Sequence, residues 1–228
     1  MTADEEWSGP VADSGDRHPV DERERRFEGA IWDVVSEYVR FPSGTVRRDV
    51  LVHPGAVAVI ALDEQDRVLL IRQYRHPVGR YLFEPPAGLL DVTGEPAWQT
   101  AQRELAEEAG FAAAAWYVLL DTYLSPGGSS EAIRIFLARD LSPLANGRVM
   151  TGEAEEAHLP RAWVDLDDAK DLVMSDALGS PSAISGILAA WVARAGGWAS
   201  LRPPDAPWPA REALERMGRL PVHSNEDT

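Results

Sequence analysis

The 228-residue sequence contains no cysteine, which excludes disulfide bonds and thiolate chemistry. It is also poor in positive charge, since 22 Lys and Arg face 37 Asp and Glu, giving a formal net charge of −15. A nucleic-acid partner requires a positive surface and an anionic membrane attracts one, so neither is predicted. No signal peptide and no apolar run of membrane-spanning length is present, and the cytoplasm is the expected compartment.

Hydrophobic residues make up 45% of the chain, enough for a sizeable core. Apolar runs and alternations predict strands over residues 56–62, 67–74, 116–121, 132–138 and 162–165. Helical spacing predicts helices over residues 96–110, 167–176 and 181–194, the third being the last of the chain. Strands that alternate with helices in one chain predict an α/β fold, a mixed sheet sandwiched between helices.

The two ends of the chain differ from this central part. Residues 1–25 are polar, lack periodic apolar positions, and are expected to form a flexible tail. Residues 26–54 show short apolar alternations around a turn at Pro42, Ser43 and Gly44, which predicts a small N-terminal β unit. The main domain is assigned to residues 55–200, and residues 201–228, rich in Pro and Trp, are expected to be an appended C-terminal arm.

One predicted helix carries three acidic residues with spacings of three and four. Pro96 suits its first position and Gly110 its end. Glu104, Glu107 and Glu108 would then project from one side, where their charges repel one another. A hard divalent cation such as Mg²⁺ or Mn²⁺ would offset that repulsion. The plainer interpretation is a solvated acidic face paired with Arg103.

The complete stretch, residues 88–111, resembles the signature of the Nudix hydrolases, G-x5-E-x7-R-E-U-x-E-E-x-G-U, in which U is apolar. The matching positions are Gly88, Glu95, Arg103, Glu104, Leu105, Glu107, Glu108, Gly110 and Phe111. Six residues instead of five separate Gly88 from Glu95, and the extra residue falls in a turn before the helix, where an insertion is readily absorbed.

The resemblance implies a Nudix-type α/β/α sandwich, with the N-terminal unit making the contacts of a homodimer. It implies Mg²⁺ or Mn²⁺ as cofactor, with Glu104 and Glu108 as direct ligands, Glu107 in the same cluster and the backbone carbonyl of Ala87 as a further ligand. Arg103 would orient a glutamate of this cluster.

A segment past the helix resembles one branch of that family, the ADP-ribose pyrophosphatases. Residues 125–131 read SPGGSSE, and Pro126 lies fifteen residues beyond Phe111. Alone, the segment would be an ordinary turn between strands. The resemblance implies that five residues contact the substrate: Arg75, Glu84, Pro126, Gly127 and Glu131. Arg72 is the alternative to Arg75. Arg47 and Arg48 would reach the ligand from the partner subunit, or else are solvated strand residues.

The implied reaction is attack of water on one phosphorus of ADP-ribose, which gives AMP and ribose 5-phosphate. In this branch the general base comes from a loop beyond the sheet, and residues 152–160, GEAEEAHLP, occupy that place. Glu155 is the favoured base, with Glu156 and Glu153 as alternatives. An acidic surface loop without catalytic role is the plain interpretation.

Two other functions stay open on the sequence alone. One is a pyrophosphatase for GDP-mannose or UDP-glucose, because the sequence does not specify the base or the sugar. The other is a nonhydrolytic ADP-ribose sensor, which is disfavoured because every acidic residue of the signature is present and no basic module accompanies it.

Histidine and tryptophan give weaker signals. The five histidines show no zinc-like spacing, and His53, in an HPG sequence, is expected to be a turn residue. Eight tryptophans are present, and core or dimer roles are favoured for them over stacking on a base.

Overall fold

The computed structural model describes residues 7–148 and 159–220, which form ten strands and four α-helices. The strands are β1 (Val20–Glu28), β2 (Asp33–Phe41), β3 (Gly44–Val52), β4 (Ala56–Ala61), β5 (Arg67–Arg75), β6 (Arg80–Glu84), β7 (Ala87–Leu89), β8 (Phe111–Tyr123), β9 (Ala132–Pro143) and β10 (Arg161–Asp165). The helices are α1 (Ala97–Glu104), α2 (Leu166–Met174), α3 (Pro181–Ala195) and α4 (Pro209–Arg216). None of these helices is long and apolar enough to cross a membrane.

The central sheet has the strand order β7-β4-β9-β8. Strands β4 and β9 are parallel, and the other neighbours are antiparallel. Every residue of β4 is buried, which explains its unbroken run of small and β-branched residues. A sheet of this kind needs cover on both faces.

Helices provide that cover on each side. On one face Ala58 and Ile60 pack with Ile187 of α3 in a core that also includes α2. On the other face Val57 and Val59 pack with the apolar stripe of α1 and with the C-terminal segment. The predicted mixed sheet between helices is therefore confirmed, as is the α/β class.

A second sheet of three strands, ordered β10-β5-β6, adjoins the sandwich. The polar turn before β5 is closed by Asp63, whose side chain accepts hydrogen bonds from the backbone N–H groups of Gln65 and Arg67 at 3.0 and 2.8 Å. At the same end of this sheet, where Asp165 of β10 pairs with Arg67, Asp165 caps α2 by accepting from the N–H of Asp167 at 2.9 Å. Strand β5 begins directly after the Asp63 turn and ends at Arg75.

The N-terminal strands form their own antiparallel sheet, β1-β2-β3, as predicted. The prediction of a tail through residue 25 is wrong for residues 20–25, because β1 begins at Val20. Every residue of β1 is exposed, so the strand carries no buried apolar pattern that could reveal it. Pairing with β2 and ion pairs such as Arg23 to Glu37, at 3.6 Å, hold it in place.

The described part of the expected C-terminal arm, residues 201–220, folds back onto the domain. Helix α4 follows Trp208, and Trp208 and Leu214 are buried in the core on the α1 face. Arg134 of β9 donates to the carbonyls of Ala206 and Pro207 at 2.7 and 2.9 Å. The expectation that α3 is the last helix is wrong, because one short helix buries only a single side chain and gives little periodic signal.

Candidate active site

The acidic helix is built from two kinds of helical turn. Helix α1 ends at Glu104, and a π-helical turn over Leu105–Ala109 continues it. Gly110 then ends the helix with φ +73°, a conformation that glycine adopts without strain. Leu105 is fully buried, so the opposite side of the helix anchors it to the sheet. Glu107 and Glu108 lie in the π-helical turn, a feature that is frequent at functional sites.

Strand β7 lies so close to this helix that a side chain at position 88 would have to displace the carboxylate of Glu104. A Cβ atom on Gly88 would lie 2.0 Å from Oε1 and 2.1 Å from Cδ of Glu104. Next to it, the backbone N–H of Ala87 donates to Oε2 of Glu108 at 2.8 Å. Both carboxylates are buried, at 7% and 4% exposure for Glu104 and Glu108. The short strand therefore fixes the positions of two of the three acidic groups.

Arg103 lies among the carboxylates of the cluster. Its Nη1 donates to Glu104 at 2.7 Å and to Glu107 at 3.0 Å, and its Nη2 donates to Glu95 at 3.3 Å. Burial opposes the charge of Arg103, but the hydrogen bond to Glu95 and the negative charge of Glu104 outweigh it and hold the pKa of Arg103 above its usual value. The guanidinium thus offsets the repulsion among these acids.

The donor set suits a hard divalent cation, because it consists of carboxylate oxygens. Within residues 7–148 and 159–220, however, no three acidic or histidine side chains are grouped so that they could hold a metal ion as they stand. The contacts of Arg103 give the physical reason, since Glu104 and Glu107 are turned towards the guanidinium. A cation at Glu104 would compete with Arg103 for that carboxylate.

A cavity of about 350 Å³ lies beside the acidic cluster. Ala87 and Gly88 form part of its wall, so the strand that positions Glu104 and Glu108 also borders the cavity. Of the side chains predicted to bind substrate, it contains Arg75, Glu84 and Glu131. Arg75 donates through Nε and Nη2 to Oε2 of buried Glu84, at 2.9 and 2.6 Å.

The other predicted substrate residues lie elsewhere. Pro126 and Gly127 line a second cavity of about 420 Å³ together with Arg48. Arg47 is exposed and paired with Asp49 at 2.9 Å, and Arg72 is exposed over the ring of Tyr81. The loop over residues 125–131 contributes to both cavities and is tied to β3, because Ser130 donates its N–H to the carbonyl of Leu51 at 2.9 Å. Glu153, Glu155 and Glu156 lie outside the described residues.

Several lining residues of the 350 Å³ cavity were not predicted. Ser180 and Ser182 lie at the N-terminus of α3, where backbone N–H groups and the helix dipole favour an anion. The Ser180-Pro181 pair that predicted the start of α3 was the available signal. Trp32 reaches the cavity from the N-terminal sheet, and no pattern in the sequence marked it.

His53 also borders this cavity and is 6% exposed. Its Nδ1 accepts the N–H of Gly55 at 3.0 Å, a contact within the turn. Burial lowers the pKa of His53 to about 4, so the imidazole is neutral at pH 7. Burial raises the pKa of Glu131, whose carboxylate faces Nε2 of His53.

Comparisons with known proteins show which family the chain belongs to. The NUDIX domain family matches residues 52–181. The chain is 40% identical to an ADP-ribose pyrophosphatase of Mycobacterium tuberculosis, over 79% of this chain and 86% of the relative. It is 37% identical to an ADP-ribose pyrophosphatase of Bacillus subtilis, over 67% of this chain and 81% of the relative.

Among solved structures, one described as an ADP compounds hydrolase superposes with a TM-score of 0.65. The match covers 92% of this chain and 100% of that chain at 24% identity. At 24% identity, this structural similarity shows a shared fold and nothing more specific.

Proposed function

Because the chain belongs to the Nudix hydrolase family, we propose that it hydrolyses the diphosphate of ADP-ribose to AMP and ribose 5-phosphate with Mg²⁺ or Mn²⁺ as cofactor. The observation that carries the proposal is the shared wall formed by Ala87 and Gly88. These residues contact Glu108 and Glu104, and they also border a cavity that contains Arg75. The two relatives named ADP-ribose pyrophosphatase support this substrate.

Glu104, Glu107 and Glu108 would hold the cation, since they supply oxygen ligands on adjacent turns of one helix segment. A bound divalent cation stabilises charge on phosphoryl oxygens and lowers the pKa of a coordinated water. The carbonyl of Ala87 would add a backbone ligand. Arg103 would then act by holding Glu95 and Glu107 in place.

The substrate diphosphate must be attracted by local charge, because the protein as a whole is strongly negative. Arg75 is the cation in the cavity, and buried Glu84 fixes its guanidinium through two hydrogen bonds. The N-terminus of α3 adds backbone donors at the same cavity. We assign the diphosphate to Arg75 and this helix end.

Water must lose a proton as it attacks phosphorus, and we propose Glu155 as the group that accepts it. Glu156 and Glu153 are the neighbouring alternatives. Support for this assignment comes from the acidic composition of residues 152–160 and from their place in the chain, directly before β10. A carboxylate with access to the attacking water is a common general base.

We further propose that the protein acts as a homodimer through its N-terminal sheet. Phe27, Ile31 and Trp32 expose 58%, 41% and 38% of their surface at this sheet. Large apolar side chains clustered on a surface are typical of protein contacts. Light scattering coupled to gel filtration should give a mass near twice 25.0 kDa, and a mass near 25.0 kDa would reject the dimer.

A substrate panel tests the proposed function. The purified protein is incubated with Mg²⁺ and ADP-ribose, ADP-glucose, GDP-mannose, UDP-glucose, NADH or diadenosine polyphosphates. We expect the fastest product release from ADP-ribose, with AMP as the nucleotide product. A higher kcat/KM for GDP-mannose or UDP-glucose would move the function to that nucleotide sugar. Tight binding of ADP-ribose without cleavage would indicate the sensor.

A further inference from the structure

A third cavity, of about 710 Å³, forms a groove between the N-terminal sheet and the C-terminal segment. It is lined by residues of β1 and β2, by the residues just before β1, and by the end of α4 with the residues that follow it. None of the described residues that line this groove belongs to the acidic cluster or to the predicted substrate contacts. The groove therefore has no role in the chemistry described so far.

Positive charge is concentrated in this groove, although the protein as a whole is acidic. Four arginines line it, namely Arg17, Arg23, Arg216 and Arg219. Among the described lining residues Glu37 is the one carboxylate, so these side chains carry a formal charge of +3, against −15 for the whole chain. A concave surface with an excess of one sign of charge attracts ions of the opposite sign.

Glu37 is buried and interacts with two of these arginines at once. Its Oε1 lies 3.6 Å from Nε of Arg23, and its Oε2 accepts a hydrogen bond from Nη2 of Arg219. One carboxylate neutralises only one of the two guanidinium charges. In addition, Nη1 of Arg219 is buried and has no hydrogen-bond partner in the part of the chain that the structure describes. An unsatisfied charged donor is costly, and an anionic acceptor would relieve that cost.

The other two arginines keep their charges available to a ligand. Nη2 of Arg17 donates to the carbonyl of Ala213 at 3.4 Å, which leaves its charge without a counterion. Within residues 7–148 and 159–220, neither Arg17 nor Arg216 forms an ion pair. The groove therefore offers guanidinium groups whose charge is not already neutralised by the protein.

The backbone holds the Arg23 and Arg219 side of the groove in place. Nη2 of Arg23 donates to the carbonyl of Gly218 at 2.8 Å, and the carbonyl of Arg219 accepts from Oγ of Ser130 at 2.9 Å. Groups that are already ordered lose less conformational freedom when a ligand binds. These contacts therefore favour binding to the groove as it stands.

The groove also has an apolar part. Pro19, Val20, Val39 and Met217 line it together with the arginines. A ligand that fits both parts carries a charged group and an apolar or uncharged body. The volume of the groove lies in the usual range for small-molecule sites, about 300–1,000 Å³.

We propose that this groove binds a small phosphomonoester, with its phosphate on the arginines and its organic part against the apolar residues. A phosphomonoester carries between about 1.5 and 2 negative charges at pH 7, which matches the excess positive charge better than one carboxylate does. Its oxygens also suit the forked geometry of guanidinium groups. The site is independent of the proposed function, because it shares no residue with the acidic cluster.

One double variant removes the available charge and leaves the pairs of Glu37 intact. It combines Arg17→Gln with Arg216→Gln. The matched control combines Arg26→Gln with Arg40→Gln, which removes the same charge from exposed residues that pair with nearby carboxylates and do not line the groove. This control separates binding in the groove from a general effect of net charge.

The test measures affinity by calorimetry at low salt, because salt screens exposed charges, and with EDTA present. The ligands are AMP, ribose 5-phosphate, inorganic phosphate and adenosine, which has no phosphate. We expect the parent to bind AMP or ribose 5-phosphate, and the tighter of the two identifies the organic part that fits the groove. The double variant should bind that ligand about tenfold more weakly, the loss expected for two partly exposed ion pairs. The matched control should bind it as the parent does.

A further variant, Arg75→Gln, removes the cation of the 350 Å³ cavity and should leave this affinity unchanged. A loss confined to Arg75→Gln would overturn the proposal, since it would assign the ligand to that cavity. Undiminished affinity in the double variant, equally tight binding of adenosine, or a parent that binds none of the three phosphates would overturn it as well. Thermal unfolding confirms that each variant is folded, and either single substitution should show an intermediate loss.

Discussion

At the residue scale, the spacing between β7 and the acidic helix depends on one missing methyl group. Gly88 contacts the carboxylate of Glu104 so closely that a Cβ would overlap it at 2.0 Å. The same carboxylate accepts a hydrogen bond from Arg103 at 2.7 Å, so a displacement of Glu104 would disturb that contact. The glycine that opens the family signature is thus explained here by packing.

Gly88→Ala should therefore displace Glu104 and lower kcat/KM by about 10²-fold, the size of effect expected from a shift of about 1 Å. Overpacking should also lower the free energy of unfolding by about 1–3 kcal/mol. Steady-state kinetics and urea unfolding measure the two effects. Gly196→Ala is the matched control, because a Cβ there lies no closer than 3.6 Å to its neighbours. Unchanged kinetics in Gly88→Ala would contradict this explanation.

The proposed general base, Glu155, can be tested by a single substitution. Replacing Glu155 with Gln removes the proton acceptor but keeps the size of the side chain, so kcat should fall about 10²–10⁴-fold. Because Glu155 is not assigned to the metal cluster, Mg²⁺ affinity should stay as in the parent. Glu153→Gln and Glu156→Gln serve as controls within the same segment. Full turnover by Glu155→Gln would reject it as the base.

His53 should make stability depend on pH between 6.5 and about 4. Its pKa falls from 6.5 to about 4 in the folded state because it is buried. Between these values the unfolded chain binds a proton that the folded protein does not, so stability falls as pH falls. The loss from this one group is at most about 3 kcal/mol, since one pKa unit corresponds to about 1.4 kcal/mol.

Urea unfolding of the parent and of His53→Gln between pH 7 and pH 4 measures this contribution, because glutamine does not titrate. The parent should lose more stability than the variant over this range. Parallel curves would show that burial of His53 does not control the dependence.

At the scale of the element, the sequence predicted what was regular and buried. Strand β4 and helix α3 were found because every residue of β4 is buried and α3 has periodic apolar positions. Strand β8 begins at Phe111, five residues before its predicted start. The four residues after Phe111 are alanines, which have little strand preference and are held by pairing with β9. The π-helical turn was not predicted, since local preference does not distinguish it from an α-helical turn.

The C-terminal segment shows the same limit, because contacts from distant elements help to hold it, among them those of buried Arg134 in β9. Arg134 is 3% exposed and pairs with Asp121 at 2.7 Å, while it also donates to the carbonyls of Ala206 and Pro207. Its guanidinium lies 4.7 Å from the ring centroid of Trp208. The contacts of Arg134 with Ala206 and Pro207 join residues that are more than seventy positions apart, and no local pattern encodes them.

Arg134→Met should lower the free energy of unfolding by about 1–3 kcal/mol, because the carbonyls of Ala206 and Pro207 lose their buried donor, while Asp121 keeps its ion pair with Arg202 at 3.0 Å. The segment after residue 201 should also become accessible to limited proteolysis. Arg139→Met is the control, since Arg139 pairs with Asp66 in a more exposed setting and should cost no more than about 1 kcal/mol. If both variants unfold alike, Arg134 does not anchor the segment.

At the scale of the whole molecule, the site combines elements that are distant in sequence. The placement of Glu104, Glu107 and Glu108 on one helical segment was predicted from their spacing, whereas their role as metal ligands stays a prediction. Arg75, Glu84 and Glu131 were predicted by resemblance, yet only the fold shows that they share a cavity, whereas Arg48, Pro126 and Gly127 line another. Trp32 and Ser182 were missed, since their place depends on how the N-terminal sheet and α3 pack.

The central claim is that the carboxylates of the acidic helix hold a divalent cation that is needed for cleavage of a diphosphate. The most direct test titrates the metal-free protein with Mn²⁺ or Mg²⁺ and follows AMP release from ADP-ribose, for the parent and for Glu104→Gln and Glu108→Gln. We predict metal binding and metal-dependent AMP release by the parent, with both reduced at least about 10²-fold in each variant. A parent that binds no cation, or variants that release AMP as fast as the parent, would contradict the account.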